Sequence, residues 1–275
     1  MCNDKELKKK AAEIRLLALK GIHAAASGHP GGSLSIAEIL SVLYFDQMNV
    51  SVRNPEDENR DRLVLSKGHA APAYYAALAI KGFFPKEDMC SLRQVGSHLQ
   101  GHPSMRKTKG VDMSSGSLGQ GLSVASGMAI AGKYHNKKYY VYCICGDGEL
   151  QEGQIWEAAM SAAHYKLDNL ILFVDHNHLQ IDGELEAVMN VTPIGEKFRA
   201  FGWNVNEIDG HSTKEIREAV LDAKAVKEVP SVIICQTIKG KGVSFMENQA
   251  GWHGAAPDDG QYEQAEKELE KEALA

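Results

Sequence analysis

The longest run of large apolar residues in this 275-residue sequence is Leu170–Val174. A membrane-crossing helix needs about 20 such residues, so no span is expected. The opening Met1-Cys2-Asn3-Asp4-Lys5-Glu6 carries both charge signs and no apolar core, unlike a secretory signal. An excess of basic charge is also missing: Lys+Arg total 30 against 36 Asp+Glu, a net charge of −6. From Asp258 onward seven acids face two lysines, which leaves the body of the chain near −1. Such a body has no field to gather nucleic-acid phosphates. The five cysteines do not pair evenly and form no Cys-x-x-Cys. Cys143 and Cys145 alternate within an apolar segment, as small core residues do. Disulfides are not expected, which suits a reducing compartment. Together these absences predict a soluble, cytoplasmic protein that binds neither nucleic acid nor membrane.

What is present is an ordinary globular composition, 44% hydrophobic and 24% charged, with enough length for one large domain. Residues 1–25 read as an amphipathic helix with Leu7, Ala11, Ile14, Ala18 and Ile22 on one face. A second helix is expected over about Ser35–Phe45, then a short strand at Arg62–Leu65. Further on the chain alternates. Helices near Gln120–Tyr134, Gln154–His164, Glu196–Phe201 and Thr213–Val226 precede strands at Tyr139–Cys145, Leu170–Asp175, Trp203–Ile208 and Ser231–Gln236. Apolar, β-branched runs joined by amphipathic helices predict an α/β fold with a mostly parallel sheet covered on both faces. Residues 1–257 are read as one domain, and 258–275 as an acidic C-terminal helix with a solvated face.

In such sheets ligands gather at the carboxyl ends of strands. The strand ending at Cys145 runs into Gly146-Asp147-Gly148, and the next ends in Asp175-His176-Asn177-His178. If the two strands are neighbours, Asp147 and Asn177 share one edge and form a hard-oxygen pair suited to Mg²⁺ on a phosphorylated ligand. An Asp at a glycine turn is by itself usually just a turn; two oxygen ligands at two strand ends are what give it weight. Gly116-Ser117-Leu118-Gly119-Gln120-Gly121 opens a helix but matches neither a Walker loop nor a dinucleotide fingerprint. It reads as a tight helix entry or as a backbone platform for a heterocycle. Four histidines lie beside Gly, Pro or Trp: His29, His69, His102 and His253. One loop histidine is usually surface; four in this context predict imidazoles converging on a polar pocket that moves protons. No His/Cys spacing suits zinc. His211 receives no role.

These motifs resemble those of transketolases. Gly146-Asp147-Gly148, followed about 30 residues later by Asn177, is similar to the diphosphate-binding motif of thiamine diphosphate enzymes. Ser27-Gly28-His29-Pro30-Gly31, Ser66-Lys67-Gly68-His69-Ala70, Gly101-His102-Pro103, Gly116–Gly121, Ile181-Asp182-Gly183, and Lys239-Gly240 through Trp252-His253-Gly254 follow the family's order over nearly the whole chain. The resemblance implies a three-layer thiamine diphosphate-binding fold. It implies Mg²⁺ on Asp147, Asn177 and the Leu179 carbonyl. His69, Gly148, Asn177, Lys239 and His253 would surround the cofactor's diphosphate and thiazolium, with Gly116, Ser117 and Leu118 against its aminopyrimidine. His29, His102 and His253 would face the sugar donor. Glu152 matches an acid near the subunit interface of relatives. Gly32 stands where some relatives carry serine and is assigned nothing.

The implied activity moves a two-carbon ketol unit from a ketose phosphate to an aldose phosphate, as in the pentose phosphate pathway, with the carbanion chemistry supplied by the cofactor. Single-chain transketolases continue into further domains that contribute the glutamate facing the pyrimidine. The chain is therefore expected to be the N-terminal subunit of a split enzyme, with a separate C-terminal subunit in a heterotetramer. Rival readings are a related two-subunit thiamine diphosphate enzyme acting on an unusual sugar or a 2-oxoacid, a non-catalytic module of the same fold, and a Mg²⁺-dependent phosphohydrolase built on Asp147.

Overall fold

The computed structural model describes residues 2–274. Helix α1 (Asp4–Ala24) opens on a capping box: Asn3 Oδ1 accepts from Glu6 N–H, and Asn3 N–H donates to the Glu6 carboxylate, both at 2.9 Å. Two of the helix's orphan donors are thereby satisfied. The expected second helix divides into α2 (Pro30–Leu34), α3 (Ala37–Val42) and a π-turn over Leu43–Gln47. Strand β1 (Arg62–Leu65) leads to α4 (Ala71–Lys81), which periodicity does not reveal because Ala71 through Ala79 are buried on every side. A long loop reaches α5 (Gly121–Tyr134), followed by β2 (Val141–Gly146), α6 (Gly153–His164) and β3 (Leu170–His176). A two-residue hairpin pairs Leu179–Gln180 with Gly183–Glu184. Then come α7 (Leu185–Met189), α8 (Ile194–Ala200), β4 (Asn204–Asp209), α9 (Thr213–Ala225), β5 (Ser231–Gln236) and α10 (Asp259–Leu274).

The five strands form one parallel sheet in the order β1-β2-β3-β5-β4. Period-2 alternation divides their side chains between two cores. Leu63, Tyr142, Ile144 and Phe173 join α1, α3, α4 and α9 on one face. Val64, Cys143, Leu172 and Ile234 join α5, α6 and α8 on the other. The result is a three-layer α/β/α fold whose strands are buried on both faces, which is why they read as unbroken apolar runs.

Helix α10 lies against α1. Ala265 and Leu269 are fully buried with Leu19, Leu34, Val243 and Met246, and Tyr262 stacks on His23 with ring centroids 4.2 Å apart. Arg15, fully buried on α1, donates to Glu38 at 2.6 Å, to Glu272 of α10 at 3.0 Å and to the Leu34 carbonyl at 3.1 Å. Among the described residues no helix is long and apolar enough to cross a membrane.

Candidate active site

Register places the chemistry. Gly146 pairs with Asp175 across β2 and β3, and Asp175 with Cys235 across β3 and β5. Asp147, Asn177 and Lys239 therefore leave the sheet side by side, just beyond the carboxyl ends of their strands. Together with Lys67, His69, Leu118, Gly148, Glu149, Glu152, Leu179 and His253 they line a cavity of about 180 Å³.

On its oxygen side Asp147 is buried and held on both carboxylate oxygens. Oδ1 accepts from Gly148 N–H at 2.7 Å; Oδ2 accepts from His178 N–H at 2.7 Å and contacts His176 Nδ1 at 3.1 Å. Asn177 Oδ1 accepts from Leu179 N–H at 3.2 Å, and the Leu179 carbonyl accepts from Lys239 Nζ at 3.1 Å. One carboxylate, one amide oxygen and one carbonyl make a hard-oxygen set, and the carbonyl is already turned toward a cation. That chemistry fits Mg²⁺. Among the described residues no three His, Cys, Asp or Glu side chains cluster as a metal site.

The four loop histidines converge in one cluster, of which His69 and His253 reach the cavity lining. Ring centroids lie 5.4 Å apart for His29 and His69, 5.0 Å for His69 and His253, 5.5 Å for His29 and His253, and 6.4 Å for His29 and His102. Burial lowers the basicity of all four, and neighbouring cations lower it further. His29 falls to about 4, by burial and then by Arg93, His102 and Lys239. His253 falls to about 3, by burial and then mainly by Lys239. His69 lies well below the usual range by burial and Lys67, and His102 is lowered by burial and Arg93. These imidazoles are neutral at pH 7, each able to donate at one nitrogen and accept at the other. Lys239 Nζ lies 3.0 Å from His253 Nδ1, and burial with the Lys67 charge brings its pKa down to about 8.

The glycine-rich loop is anchored from beneath. Glu149, buried, accepts from Gly119 N–H at 2.9 Å and Gly146 N–H at 3.0 Å and bonds the Ser66 hydroxyl, which itself accepts from Gly121 N–H at 3.1 Å. Its carboxyl pKa is pushed up by burial, and these bonds act against the rise. Ser117 and Leu118 stay exposed, and Gly116 packs so closely on His102 that a Cβ would lie 3.1 Å from the ring. At Gly32 an added Cβ would lie 3.2 Å from His69 Nε2. Glu152 precedes α6, exposed at the cavity's rim.

Five residues around the cavity carry no role in the sequence reading. Lys67, at the cavity lining, and Asp175 behind it form a fully buried ion pair, with Asp175 also accepting from Ser35, Asn177 and Thr237. Burial would raise the Asp175 pKa, but the Lys67 charge and these bonds hold it down. A charged residue directly ending a wholly apolar strand was the available signal for it. Glu149, in the turn that follows Gly146-Asp147-Gly148, gave no such signal. Arg93, against His29, gave none: it lies in a loop without periodicity, remote in sequence from its target. His211 bonds Glu38 and accepts from Ile238 N–H at 2.9 Å, steadying the approach to Lys239.

A family model described as transketolase, thiamine diphosphate binding domain, matches residues 7–273. The 6-deoxy-6-sulfo-D-fructose transketolase subunit SqwG of Clostridium sp. (strain MSTE9) is 49% identical over 267 residues, covering 97% of each chain. An apulose-4-phosphate transketolase subunit of Phocaeicola vulgatus is 43% identical, covering 90% of this chain and 88% of its own. The crystal structure of transketolase from Campylobacter jejuni superposes with a TM-score of 0.92 at 36% identity, over 98% of this chain but only 43% of that one.

Proposed function

The chain belongs to the transketolase family, matching its thiamine diphosphate-binding domain, and on that premise we propose that it is the N-terminal subunit of a split transketolase. It works with a separate C-terminal subunit, in a heterotetramer, to transfer a two-carbon ketol unit from a ketose phosphate to an aldose phosphate. The observation that carries this reading is a cluster of four imidazoles, His29, His69, His102 and His253, two of which (His69 and His253) line the same cavity as Asp147, Asn177 and Leu179. Two subunit-type relatives match over nearly their whole length, which supports a partner-dependent enzyme.

When bound, thiamine diphosphate stabilises the carbanion left as the ketose C2–C3 bond breaks. Asp147, Asn177 and the Leu179 carbonyl would hold the Mg²⁺ that neutralises its diphosphate. Lys239, His69 and Gly148 complete the anion's surroundings, with Gly148 admitting close backbone approach. The backbone of Gly116, Ser117 and Leu118 supports the aminopyrimidine. His29, His102 and His253, neutral at working pH, bond the donor's hydroxyls and relay protons where alkoxide charge develops. On this reading residues 1–257 are the thiamine diphosphate-binding domain and the segment from 258 is its acidic C-terminal helix or tail, with the protein in the cytoplasm.

The names of the two subunit-type relatives favour an unusual sugar over the pentose phosphate pathway. The test is to isolate the chain with whatever co-purifies and to assay the assembly with xylulose 5-phosphate, a sulfonated ketose and pyruvate. A stoichiometric second chain and ketol transfer confined to the mixture are expected. Full turnover by the chain alone, or use of pyruvate only, would overturn the reading.

A further inference from the structure

Arg93 is a half-buried cation without a counter-charge: among the described residues no carboxylate lies within ion-pair distance of it, and its Nε has no partner. The surroundings fix it in place. Its backbone is left-handed at φ 62°, its N–H donates to the Leu99 carbonyl at 2.9 Å, and Nη1 donates to Ser27 Oγ at 3.0 Å. The guanidinium lies against Gly101, where an added Cβ would meet Nε at 3.3 Å. Its remaining arm, Nη2, lies 3.3 Å from His29 Nδ1.

A guanidinium has donors only, so this contact requires a lone pair on Nδ1. A neutral imidazole with that lone pair carries its proton on Nε2. The Cδ2–Nε2 edge of His29 faces the His253-Gly254 turn, 3.5–3.6 Å from where a Gly254 Cβ would stand. We propose that Arg93 is a positioning residue that locks His29 as a neutral imidazole protonated at Nε2, so that it presents a hydrogen-bond donor toward the His253-Gly254 turn at the edge of the histidine cluster. The groups around His29 offer no competing acceptor charge. His69, His102 and His253 face it as rings, and Lys239 and Arg93 face it as cations. No acid takes part, so nothing there favours the imidazolium.

This inference deepens the reading of His29 as a donor-facing group, yet its first test needs neither cofactor nor sugar. Long-range ¹H–¹⁵N spectra of the full chain, ¹⁵N-labelled at histidine, report the tautomer of each ring; loss of one ring's signals in His29→Asn assigns His29. The expected result is an Nε2–H tautomer that stays neutral below pH 5. In Arg93→Met the two tautomers mix and the titration midpoint rises by roughly 1 pH unit, whereas Arg93→Lys keeps most of the suppression. An Nδ1–H tautomer in the unsubstituted chain overturns the proposal without any variant having to fold. An unchanged His29 titration in a folded Arg93→Met overturns it as well. In the assembled enzyme, with xylulose 5-phosphate as the donor probe, Arg93→Met raises KM about tenfold and moves the acid limb of the kcat/KM profile upward. If the spectra behave as expected and no ketol transfer occurs, the failure belongs to the proposed function and not to this positioning role.

Discussion

Asn177 donates its side-chain amide to the carboxylate of Asp175 at 2.9 Å. An ionised carboxylate only accepts, so the nitrogen of Asn177 must face Asp175 and its oxygen turns to the cavity. Asp175 can stay ionised while fully buried because Lys67 neutralises it and two hydroxyls, Ser35 and Thr237, complete its bonds.

Removing one charge of that pair strands the other. Asp175→Asn is expected to cost about 3–5 kcal/mol, and Lys67→Met a similar amount. The double variant should cost less than the sum of the two, since neither charge is then left unpaired. Urea denaturation of the three variants checks this; additive losses would mean that the pair is not coupled.

The glycine-rich loop rests on contact as well as on hydrogen bonds. A Cβ on Gly121 would lie 2.3 Å from Ser66 Oγ and 2.7 Å from Ser66 Cα, and that main chain has nowhere to move. Gly121→Ala should therefore cost roughly 1–3 kcal/mol as overpacking, although alanine favours a helix. Gly127→Ala, on the same helix with open space around it, should be neutral or slightly stabilising. Thermal melts of the pair separate packing from propensity.

Much of the fold was legible in the sequence because buried parallel strands and one-sided helices leave distinct periods. The β1, β3 and β5 runs and α5, α6 and α9 lie within a residue or two of where the pattern puts them, and α1 starts three residues later than expected. Helix α4 was not legible, since a helix buried all round has no polar face to set a period. Of the site, residues fixed by local chemistry could be read: Asp147 at its glycine turn and the histidines beside Gly and Pro. What could not be read depends on strand order and loop closure. Nothing in the sequence brings Lys67 to Asp175, or Arg93 to His29.

The depressed histidines make acid stability a measurable quantity. His29 and His253 fall from 6.5 to about 4 and about 3 on folding. Between 6.5 and those values the unfolded chain binds protons that the folded chain does not. Their contribution is therefore intact above about pH 6.5 and is lost as pH falls toward 4 and then 3. Unfolding free energy should drop between pH 7 and pH 4.5, and drop less steeply in His29→Gln/His253→Gln. Parallel slopes would show that neither ring is held neutral by the fold.

Helix α10 ties the acidic end of the chain to the segment that runs between Lys239 and His253, two residues of the cavity lining. Leu269 is fully buried against Val243 and Met246, and Glu268 accepts from Ser244 N–H at 2.6 Å and from its hydroxyl at 2.8 Å. That segment lies between Lys239 and His253. Glu272 is more than a third exposed in its pair with Arg15, which keeps Glu38 as a buried partner. Glu272→Gln should accordingly cost no more than about 1 kcal/mol, whereas Leu269→Ala should cost about 2–5 kcal/mol through the cavity it leaves. The second loss should be local before it is global, because the apolar surface it uncovers is Val243 and Met246 of the 240–253 segment together with Leu19 and Leu34, away from the sheet. Amide exchange in Leu269→Ala should speed up there by tenfold or more while β2 and β3 keep their protection, and affinity for thiamine diphosphate should fall in step. Uniform acceleration across the sheet would show instead that α10 supports the whole domain and has no particular hold on Lys239 and His253.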